Sequence, residues 1–445
     1  MTCEHMTTDA KSPVDKRLVE LFQHVGLDRM HIAARVTADW RGLAATCPET
    51  IASLTLVCPT GLDATPLRAL ASRVLVLTGD QGTPAEAISK AMAAHPEASI
   101  VTLKNYYGHP RADLLTDRTE DIGAAMLAFL ARMDQLHTAK PVRLPAQEGE
   151  LDGISYRIQG AGAPLVLLPL GLAASQWEPL LPRLSAQYCT LTLGGAILGS
   201  VASLEARGRS TGYLGVVRNL VTEIHLQPGE TILDVGCGSG VLDRWLARQT
   251  GGAHRIVAVD IHRTLLREAA ALATKEGLAG HIEFREGNAE ALSFPDRSFD
   301  VTMSATVMEL LDADRMLREM VRVTRPGGRV GVVVRAVDMQ SFVNVPVRAE
   351  LKMKIGALPN GVAGAKGCAD GSLYQRFCNA GLQNVQMLPQ LATYAGARAH
   401  AADERIEAAL SPAELAEWHT AVTQAEAEGT FFIALPFHCA VGTKG

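Results

Sequence analysis

The residues best suited to chemistry lie in the segment TILDVGCGSG (231–240), a short apolar run that ends in a glycine-dense turn. The acidic residue Asp234 stands just before the turn, and Gly236, Gly238 and Gly240 form it. Glycines let a backbone turn sharply and let a ligand approach where a Cβ atom would clash. The next segment, VLDRWLARQT, predicts a helix whose first amides are free to donate hydrogen bonds. The pattern therefore predicts a ligand-binding strand, turn and helix.

The segments after this turn predict four further strands. RIVAVDIH (255–262) predicts a second strand that ends in Asp260, whose carboxylate can accept from both ribose hydroxyls of an adenosine. HIEFREGN, DVTMSAT and RPGGRVGVVVRAV predict the third, fourth and fifth strands, with the helix ADRMLREMVRVT before the fifth. A dinucleotide-binding fingerprint would need glycine at position 241, where the chain has Val241.

This ordered series of motifs resembles the class I S-adenosylmethionine (SAM)-dependent methyltransferases from about residue 206 to the C-terminus. The resemblance implies a seven-stranded, Rossmann-like α/β domain over 206–445 with SAM as its cofactor. VQMLPQLATYA and FFIALPFHCAVGTK would be strands six and seven, the latter antiparallel beside strand five. SPAELAEWHTAVTQAEAEG predicts a helix that opens with a capping pattern from Ser411 to Glu414.

The same resemblance assigns the cofactor contacts. Asp234 and the glycine turn would face the methionine part of SAM, Asp260 would hold the ribose and Ile261 would lie against the adenine. Asn288 stands where the family usually has aspartate, and its side-chain carbonyl can still accept from the adenine amino group. The full set of expected cofactor-binding residues is Asp234, Gly236, Gly238, Asp260, Ile261, Asn288, Ala289 and Ser304.

The acceptor site would be built from the helix ahead of the glycine turn, the loop after the fourth strand and the insertion 338–377. Tyr213 and Glu309 are the candidate catalytic residues, Glu309 as a general base if the acceptor arrives protonated. A buried packing tyrosine and a solvated or helix-capping glutamate are the structural alternatives. The candidate substrate-binding residues are Tyr213, Arg335, Asp338, Tyr374 and Arg376.

Composition limits the partners. The 445 residues carry a formal net charge of −5, so nothing in the charge favours nucleic acid. The polar N-terminus lacks the apolar core of a signal peptide, and the longest apolar stretch is too short to span a bilayer. The eight cysteines show no C-x-x-C pair, and Cys368 and Cys378 lack a nearby third cysteine, so no metal site is expected. These features favour a cytoplasmic enzyme with a small-molecule acceptor and no membrane partner.

Residues 1–205 resemble an α/β-hydrolase whose two halves occur in reversed order. Segment 15–135 resembles the C-terminal half, 137–150 reads as a linker, and 151–205 resembles the N-terminal half. The resemblance places Asp80 and His109 at the positions of the catalytic acid and base.

The nucleophile of that resemblance is missing. The sequence ARVTADWRG has no G-x-S-x-G elbow, and Thr37 and Asp39 are its nearest candidates. We therefore expect a two-domain α/β protein: a methyltransferase and a hydrolase-like domain without catalysis that serves packing or homo-oligomerisation. A bifunctional methyltransferase/esterase and a SAM-binding protein without turnover are the alternatives.

Overall fold

A computed structural model describes residues 14–35, 40–62, 65–108, 113–136, 148–361, 363–395, 406 and 409–445. The chain divides into two compact units after Leu204, one residue before the domain boundary expected from sequence.

The N-terminal unit alternates strands and helices. Its strands are β1 (Met30–Ala34), β2 (Ile51–Val57), β3 (Val74–Gly79), β4 (Ser99–Leu103), β5 (Glu148–Leu151), β6 (Ile154–Gln159), β7 (Ala163–Leu167) and β8 (Tyr188–Gly195). Its helices are α1 (Val14–His24), α2 (Arg41–Thr46), α3 (Gly82–Met92), α4 (Leu114–Leu136) and α5 (Leu181–Ser185). Short 3₁₀ helices cover Pro48–Thr50, Thr65–Ala69, Ala71–Arg73 and Ala174–Trp177.

Within the described part of this unit, eight strands form one sheet in the order β4-β3-β2-β1-β7-β8-β6-β5. The pairs from β4 to β8 are parallel, whereas β6 runs antiparallel to β8 and β5. Strand β1 pairs with both β2 and β7, so the two sequence segments that the linker separates share one sheet. Strands β1, β2 and β3 are buried along their whole length, as expected for parallel strands covered on both faces.

The C-terminal unit contains the glycine turn. Its strands are β9 (Thr231–Val235), β10 (Arg255–Asp260), β11 (Ile282–Glu286), β12 (Phe299–Ala305), β13 (Thr324–Arg335), β14 (Phe342–Asn344), β15 (Leu382–Ala395) and β16 (Phe432–Lys444). Helix α6 (Gly199–Gly208) leads into it. The helices that follow are α7 (Thr211–Ile224), α8 (Val241–Gln249), α9 (Arg263–Lys275), α10 (Ala313–Val323), α11 (Ala349–Gly356), α12 (Ser372–Asn379) and α13 (Pro412–Ala427). A 3₁₀ helix covers Met308–Leu310.

The sheet of this unit runs β11-β10-β9-β12-β13-β16-β14, and β15 pairs with β16. Strands β9 to β13 pair with one another in parallel. Strand β16 runs antiparallel to β13, with Val333 opposite Cys439. The prediction that the last strand lies antiparallel beside the fifth is confirmed. Because the carboxyl ends of the parallel strands meet at one edge, the loops after β9, β10, β12 and β13 gather there.

Two further expectations can be compared with the structure. Ser411 caps α13 by accepting a hydrogen bond from the backbone amide of Glu414, and the Glu414 side chain accepts one from the amide of Ser411. The capping prediction is therefore confirmed. Across the described ranges, no helix combines the length and the apolar character needed to cross a membrane.

Candidate functional site

The glycine turn after β9 depends on backbone conformations that favour glycine. Gly236 has a φ of +84°, and a Cβ atom built on it would lie 2.3 Å from the side chain of Val307. Gly240 has a φ of +70° and caps α8; its Cβ would lie 2.8 Å from Phe284. Gly240 therefore packs closely on the side chain of Phe284, while Gly236 lets the turn close tightly on the loop after β12.

Asp260, at the end of β10, holds this turn in place. One carboxylate oxygen accepts a hydrogen bond from the amide of Gly238 at 2.9 Å, and the other accepts from the amide of His262 at 2.9 Å. A carboxylate oxygen has two lone pairs, so both oxygens can accept again from a ligand hydroxyl. Asp260 thus ties the glycine turn to β10 and keeps acceptor capacity at the edge of the sheet.

Asp234 lies beside a second carboxyl group that sequence reasoning did not single out. Asp234 and Asp243 are both buried, and neither Asp234 Oδ1 nor Asp243 Oδ2 has a hydrogen-bond donor among the described residues. Burial raises the pKa of both carboxyls, that of Asp243 to about 7, and the Asp243 charge raises that of Asp234 further. A proton shared between the two carboxyls satisfies both and removes one buried charge.

The remaining expected cofactor contacts differ in exposure. Ile261 is 59% exposed, unusual for an isoleucine beside a buried aspartate. The Asn288 side-chain oxygen accepts from the amide of Glu290 at 2.9 Å, a local turn that leaves one lone pair, and Ala289 is half-buried. Ser304 is fully buried and donates to the carbonyl of Val235 at 2.7 Å, so its hydroxyl joins two strand ends and is closed to a ligand.

Glu205 is a residue of this site that the sequence did not reveal. Its Oε1 accepts a hydrogen bond from the Ser239 hydroxyl at 2.6 Å, and its Oε2 accepts from Arg244 at 2.6 Å. Gly208 packs so closely on Val241 that a Cβ atom would lie 2.3 Å away. The end of α6 is therefore fastened to the glycine turn through partners more than thirty positions away, which no local spacing indicates.

Tyr213, on the helix ahead of the turn, is buried at the carboxyl end of β12. Its amide is capped by the Ser210 hydroxyl, and its own hydroxyl lies 3.5 Å from the Thr306 hydroxyl oxygen. Phe437 of β16 meets its ring edge-on at 5.6 Å between centroids. The Tyr213 ring is thus packed in the core, and its hydroxyl lies near the hydroxyl of Thr306, directly after β12.

Glu309 has no exposure to solvent and lies below the end of β13. Its Oε1 accepts from the backbone amide of Arg335 at 2.8 Å, and the Arg335 guanidinium is 3.4 Å from the same oxygen. Among the described residues, its Oε2 has no donor. The solvated or helix-capping alternative therefore does not describe Glu309, and one carboxylate oxygen is left to accept a proton or a ligand hydrogen bond.

Asp338 proves to be paired with a histidine that sequence reasoning did not name. Its carboxylate accepts from the amide of Gly371 at 2.9 Å and lies 2.8 Å from His438 Nε2. Burial raises the pKa of Asp338, but the hydrogen bonds from Gly371 and His438 outweigh it and hold that pKa below its usual value. Asp338 therefore joins the insertion to β16.

Tyr374 and Arg376, the two substrate-binding candidates on α12, have surroundings that suit a surface position better than a binding pocket. Arg376 forms an ion pair with Asp314 of α10, and Tyr374 is 45% exposed. An arginine already paired with a carboxylate is a poor anchor for an acidic acceptor, because binding would require breaking that pair.

In the N-terminal unit, Asp80, expected as the catalytic acid by the hydrolase resemblance, is bonded to backbone amides of the protein itself. Both carboxylate oxygens of Asp80 accept from loop amides, those of Asn105 at 2.9 Å and Tyr106 at 3.0 Å. His109, Thr37 and Asp39 lie outside the described residues.

Arg35 follows β1 directly and lies at the carboxyl ends of the parallel strands β1, β2 and β7. It is buried, and its guanidinium donates to the carbonyls of Cys58, Leu170 and Gly108 at 3.1, 3.2 and 3.4 Å. One guanidinium thus serves the backbone carbonyls of three segments that are distant in sequence.

A buried serine, histidine and aspartate also meet in this unit. His31 lies 2.7 Å from the Ser53 hydroxyl and 3.1 Å from Asp134, which accepts from the Tyr188 hydroxyl at 2.9 Å. His31 and Ser53 have no exposure, and both ring nitrogens of His31 are paired within this group. Burial raises the pKa of Asp134, but the hydrogen bonds from His31 and Tyr188 hold it below its usual value. These residues form a structural network.

Comparisons with known proteins agree with the C-terminal geometry. Residues 232–328 match a family described as "Methyltransferase domain". The ubiquinone/menaquinone biosynthesis C-methyltransferase UbiE of Hydrogenovibrio crunogenus is 33% identical over 137 residues, covering 28% of this chain and 54% of the relative. The protein of the same name from Hahella chejuensis is 35% identical over 137 residues, covering 28% and 55%. This chain therefore spans about half the length of these relatives.

Among solved structures, the YcgJ protein of Bacillus subtilis is similar at 18% identity with a TM-score of 0.35, covering 52% of this chain and 98% of that protein. The residues that match the methyltransferase-domain family lie in the C-terminal unit, from β9 into β13 of its mixed sheet.

Proposed function

We propose that this chain transfers the methyl group of SAM to a small-molecule acceptor at the carboxyl edge of the C-terminal sheet. Asp260 carries the proposal, because it closes the glycine turn through the amide of Gly238 and still presents two oxygens with acceptor capacity. The family match over 232–328 includes both residues.

The residues at this edge suit the parts of SAM. Asp260 would accept from the ribose hydroxyls, and the exposed Ile261 would be covered by the adenine ring. The remaining lone pair of the Asn288 side-chain oxygen would accept from the adenine amino group. Asp234, at the glycine turn, would lie near the ammonium group of the methionine part, where the negative charge that it shares with Asp243 attracts a cation.

The demands on catalysis are modest. SAM, when bound, supplies a methyl group on a sulfonium, from which S-adenosylhomocysteine is a good leaving group. The protein must align the acceptor and exclude water, and the buried Tyr213 and Glu309 lie on the elements expected to do so. Glu309 Oε2 is the candidate to take a proton from an acceptor that arrives protonated.

Carbon is the acceptor atom to test first. The matched relatives are named ubiquinone/menaquinone biosynthesis C-methyltransferases. Ubiquinone and menaquinone are small molecules. The net charge of −5 gives no support to a nucleic-acid acceptor.

For the N-terminal unit we propose a permuted, hydrolase-like domain without catalysis, serving packing or homo-oligomerisation. The single sheet that joins β1 to β7 supports the permutation, and the missing G-x-S-x-G elbow supports the absence of a nucleophile. A fluorophosphonate probe and an esterase assay test this directly: labelling or ester hydrolysis would favour the bifunctional alternative.

The experiment for the main proposal is the formation of S-adenosylhomocysteine from SAM with a sorted panel of carbon acids, phenols, carboxylic acids, amines and thiols. Turnover with one class establishes the enzyme and its acceptor atom. SAM binding without turnover on any class would favour a binding protein, and the absence of SAM binding would contradict the proposal.

A further inference from the structure

Arg207, on the last turn of α6, is a cation without a counter-ion in the described structure. Its guanidinium lies over the Tyr213 ring, 4.9 Å from the centroid, and its Nε is buried with no hydrogen-bond acceptor among the described residues. By contrast, the buried Arg244 pairs with Glu205 and the partly buried Arg329 pairs with Glu230. The Nε of Arg244 also lacks a hydrogen-bond acceptor, but Glu276 lies 3.1 Å from it, whereas Arg207 has no carboxylate among the described residues to offset its charge. A partly buried guanidinium in that state favours an anionic partner.

Arg207 is held beside the glycine turn by its neighbours in sequence. Glu205, two residues earlier, accepts from Ser239 of the turn, and Gly208, one residue later, packs on Val241. Tyr213, below the guanidinium, reaches towards Thr306 after β12. The cation is therefore fixed between the turn after β9 and the end of β12, at the edge where the proposed reaction takes place.

Arg207 and a second arginine, Arg335, both act on a buried tyrosine. Tyr394 of β15 is buried and bonded to Ser210, and it lies within electrostatic range of both Arg207 and Arg335. Burial raises the pKa of Tyr394 to about 12 although both arginines act to lower it, so its hydroxyl stays neutral and does not offset their charge. Glu309 balances Arg335, which leaves Arg207 as the unbalanced cation of the group.

We propose that Arg207 is the anion-binding residue of this site and that it takes a carboxylate. A guanidinium binds a carboxylate through two parallel hydrogen bonds, and the contact with the Tyr213 ring limits where the Arg207 guanidinium can lie. The carboxylate belongs either to the methionine part of SAM or to an acidic acceptor. This inference rests on the proposed SAM-dependent function.

The first arm of the test measures binding by isothermal titration calorimetry on the full chain. S-adenosylhomocysteine carries the methionine carboxylate, whereas 5′-methylthioadenosine lacks the whole amino-acid part. If the carboxylate is that of the cofactor, Arg207→Met weakens S-adenosylhomocysteine binding by about ten- to a hundredfold and leaves 5′-methylthioadenosine binding unchanged. Arg207→Lys, which keeps the charge but loses the fork, restores only part of the affinity.

The second arm compares acidic and neutral members of the acceptor panel on the same variants. If the carboxylate is that of the acceptor, wild type prefers acidic acceptors in kcat/KM, and Arg207→Met loses that preference while binding S-adenosylhomocysteine normally. Arg218→Met, at an exposed position of α7, controls for the loss of a surface cation and should match wild type in both arms.

The proposal is overturned if Arg207→Met changes neither the affinity ratio of the two nucleosides nor a preference for acidic acceptors. Failure of the proposed function looks different, because wild type would then bind neither nucleoside. Circular dichroism and thermal unfolding of Arg207→Met show whether the variant is folded, and Arg207→Gln provides a second neutral variant that retains hydrogen-bond donors.

Discussion

Asp234 and Asp243 meet as two buried carboxyls beneath the glycine turn, each with an oxygen for which the described residues provide no donor. Asp234 is the penultimate residue of β9, and Asp243 lies in the first turn of α8. Arg244 lowers the pKa of Asp243, and the charge of Asp260 adds to the repulsion at Asp234. The pair is therefore stable when it shares a proton, and that proton makes the stability of the turn depend on pH.

Replacing Asp243 with asparagine should flatten this pH dependence. The folded-state pKa of Asp243 is raised to about 7, above its unfolded value, so its contribution is fully present at low pH and is lost as the pH rises towards and through 7. We expect the melting temperature of ligand-free wild type to fall by several degrees more than that of Asp243→Asn between pH 5 and pH 8. Thermal unfolding across this range checks it, with exposed Asp296→Asn as the control. Equal slopes for wild type and Asp243→Asn would contradict the shared proton.

Replacing Asp260 with alanine should weaken SAM binding by at least about tenfold, because a charge-assisted hydrogen bond to the ribose and the restraint on Gly238 are both lost. Isothermal titration with SAM measures the change. Glu286→Gln, at the exposed end of the neighbouring β11, is the matched control and should bind normally. Wild-type affinity in a folded Asp260→Ala protein would exclude the ribose assignment.

Replacing Glu309 with glutamine distinguishes a base from a purely structural carboxylate. If Oε2 takes the acceptor proton, kcat should fall by about 10²- to 10⁴-fold with SAM affinity unchanged, and the acidic limb of the pH–rate profile should disappear. If the carboxylate only holds Arg335, the profile keeps its shape and the variant mainly loses thermal stability. Rate measurements over pH on the best acceptor of the panel decide between the two.

Replacing Arg35 with methionine should destabilise the N-terminal unit by about 2–4 kcal/mol, because three buried carbonyls lose their donor. Hydrogen exchange localises the effect, and the amides of β1 and β2 should exchange faster. SAM affinity should not change, and exposed Arg132→Met is the control. Unaltered exchange in β1 and β2 would show that the guanidinium does not support this strand edge.

Much of the C-terminal site could be predicted from local pattern. The apolar run, the glycines and the acids at strand ends placed the turn, Asp234 and Asp260 on elements that the structure confirms, because strand and turn propensities act over a few residues. The spacing of FFIALPFHCAVGTK likewise predicted β16. Roles that depend on side-chain direction were not accessible in this way: Ser304 is closed to a ligand by its bond to Val235, and Arg376 is paired with Asp314.

The sequence by itself determined the two α/β units and the order of the strands, the turn and the helices, since these follow from periodicity and from glycine and acid positions along the chain. The candidate SAM contacts came from the resemblance to a family. Only the tertiary structure decided which distant groups meet. It joined Glu205 to Ser239, Asp234 to Asp243 and Glu309 to Arg335, and it left Arg207 without a described counter-ion. The physical reason is that a buried charge needs a partner within a few ångströms to offset its desolvation. The fold decides which residue is that close, and the number of residues between two positions does not give their distance in space.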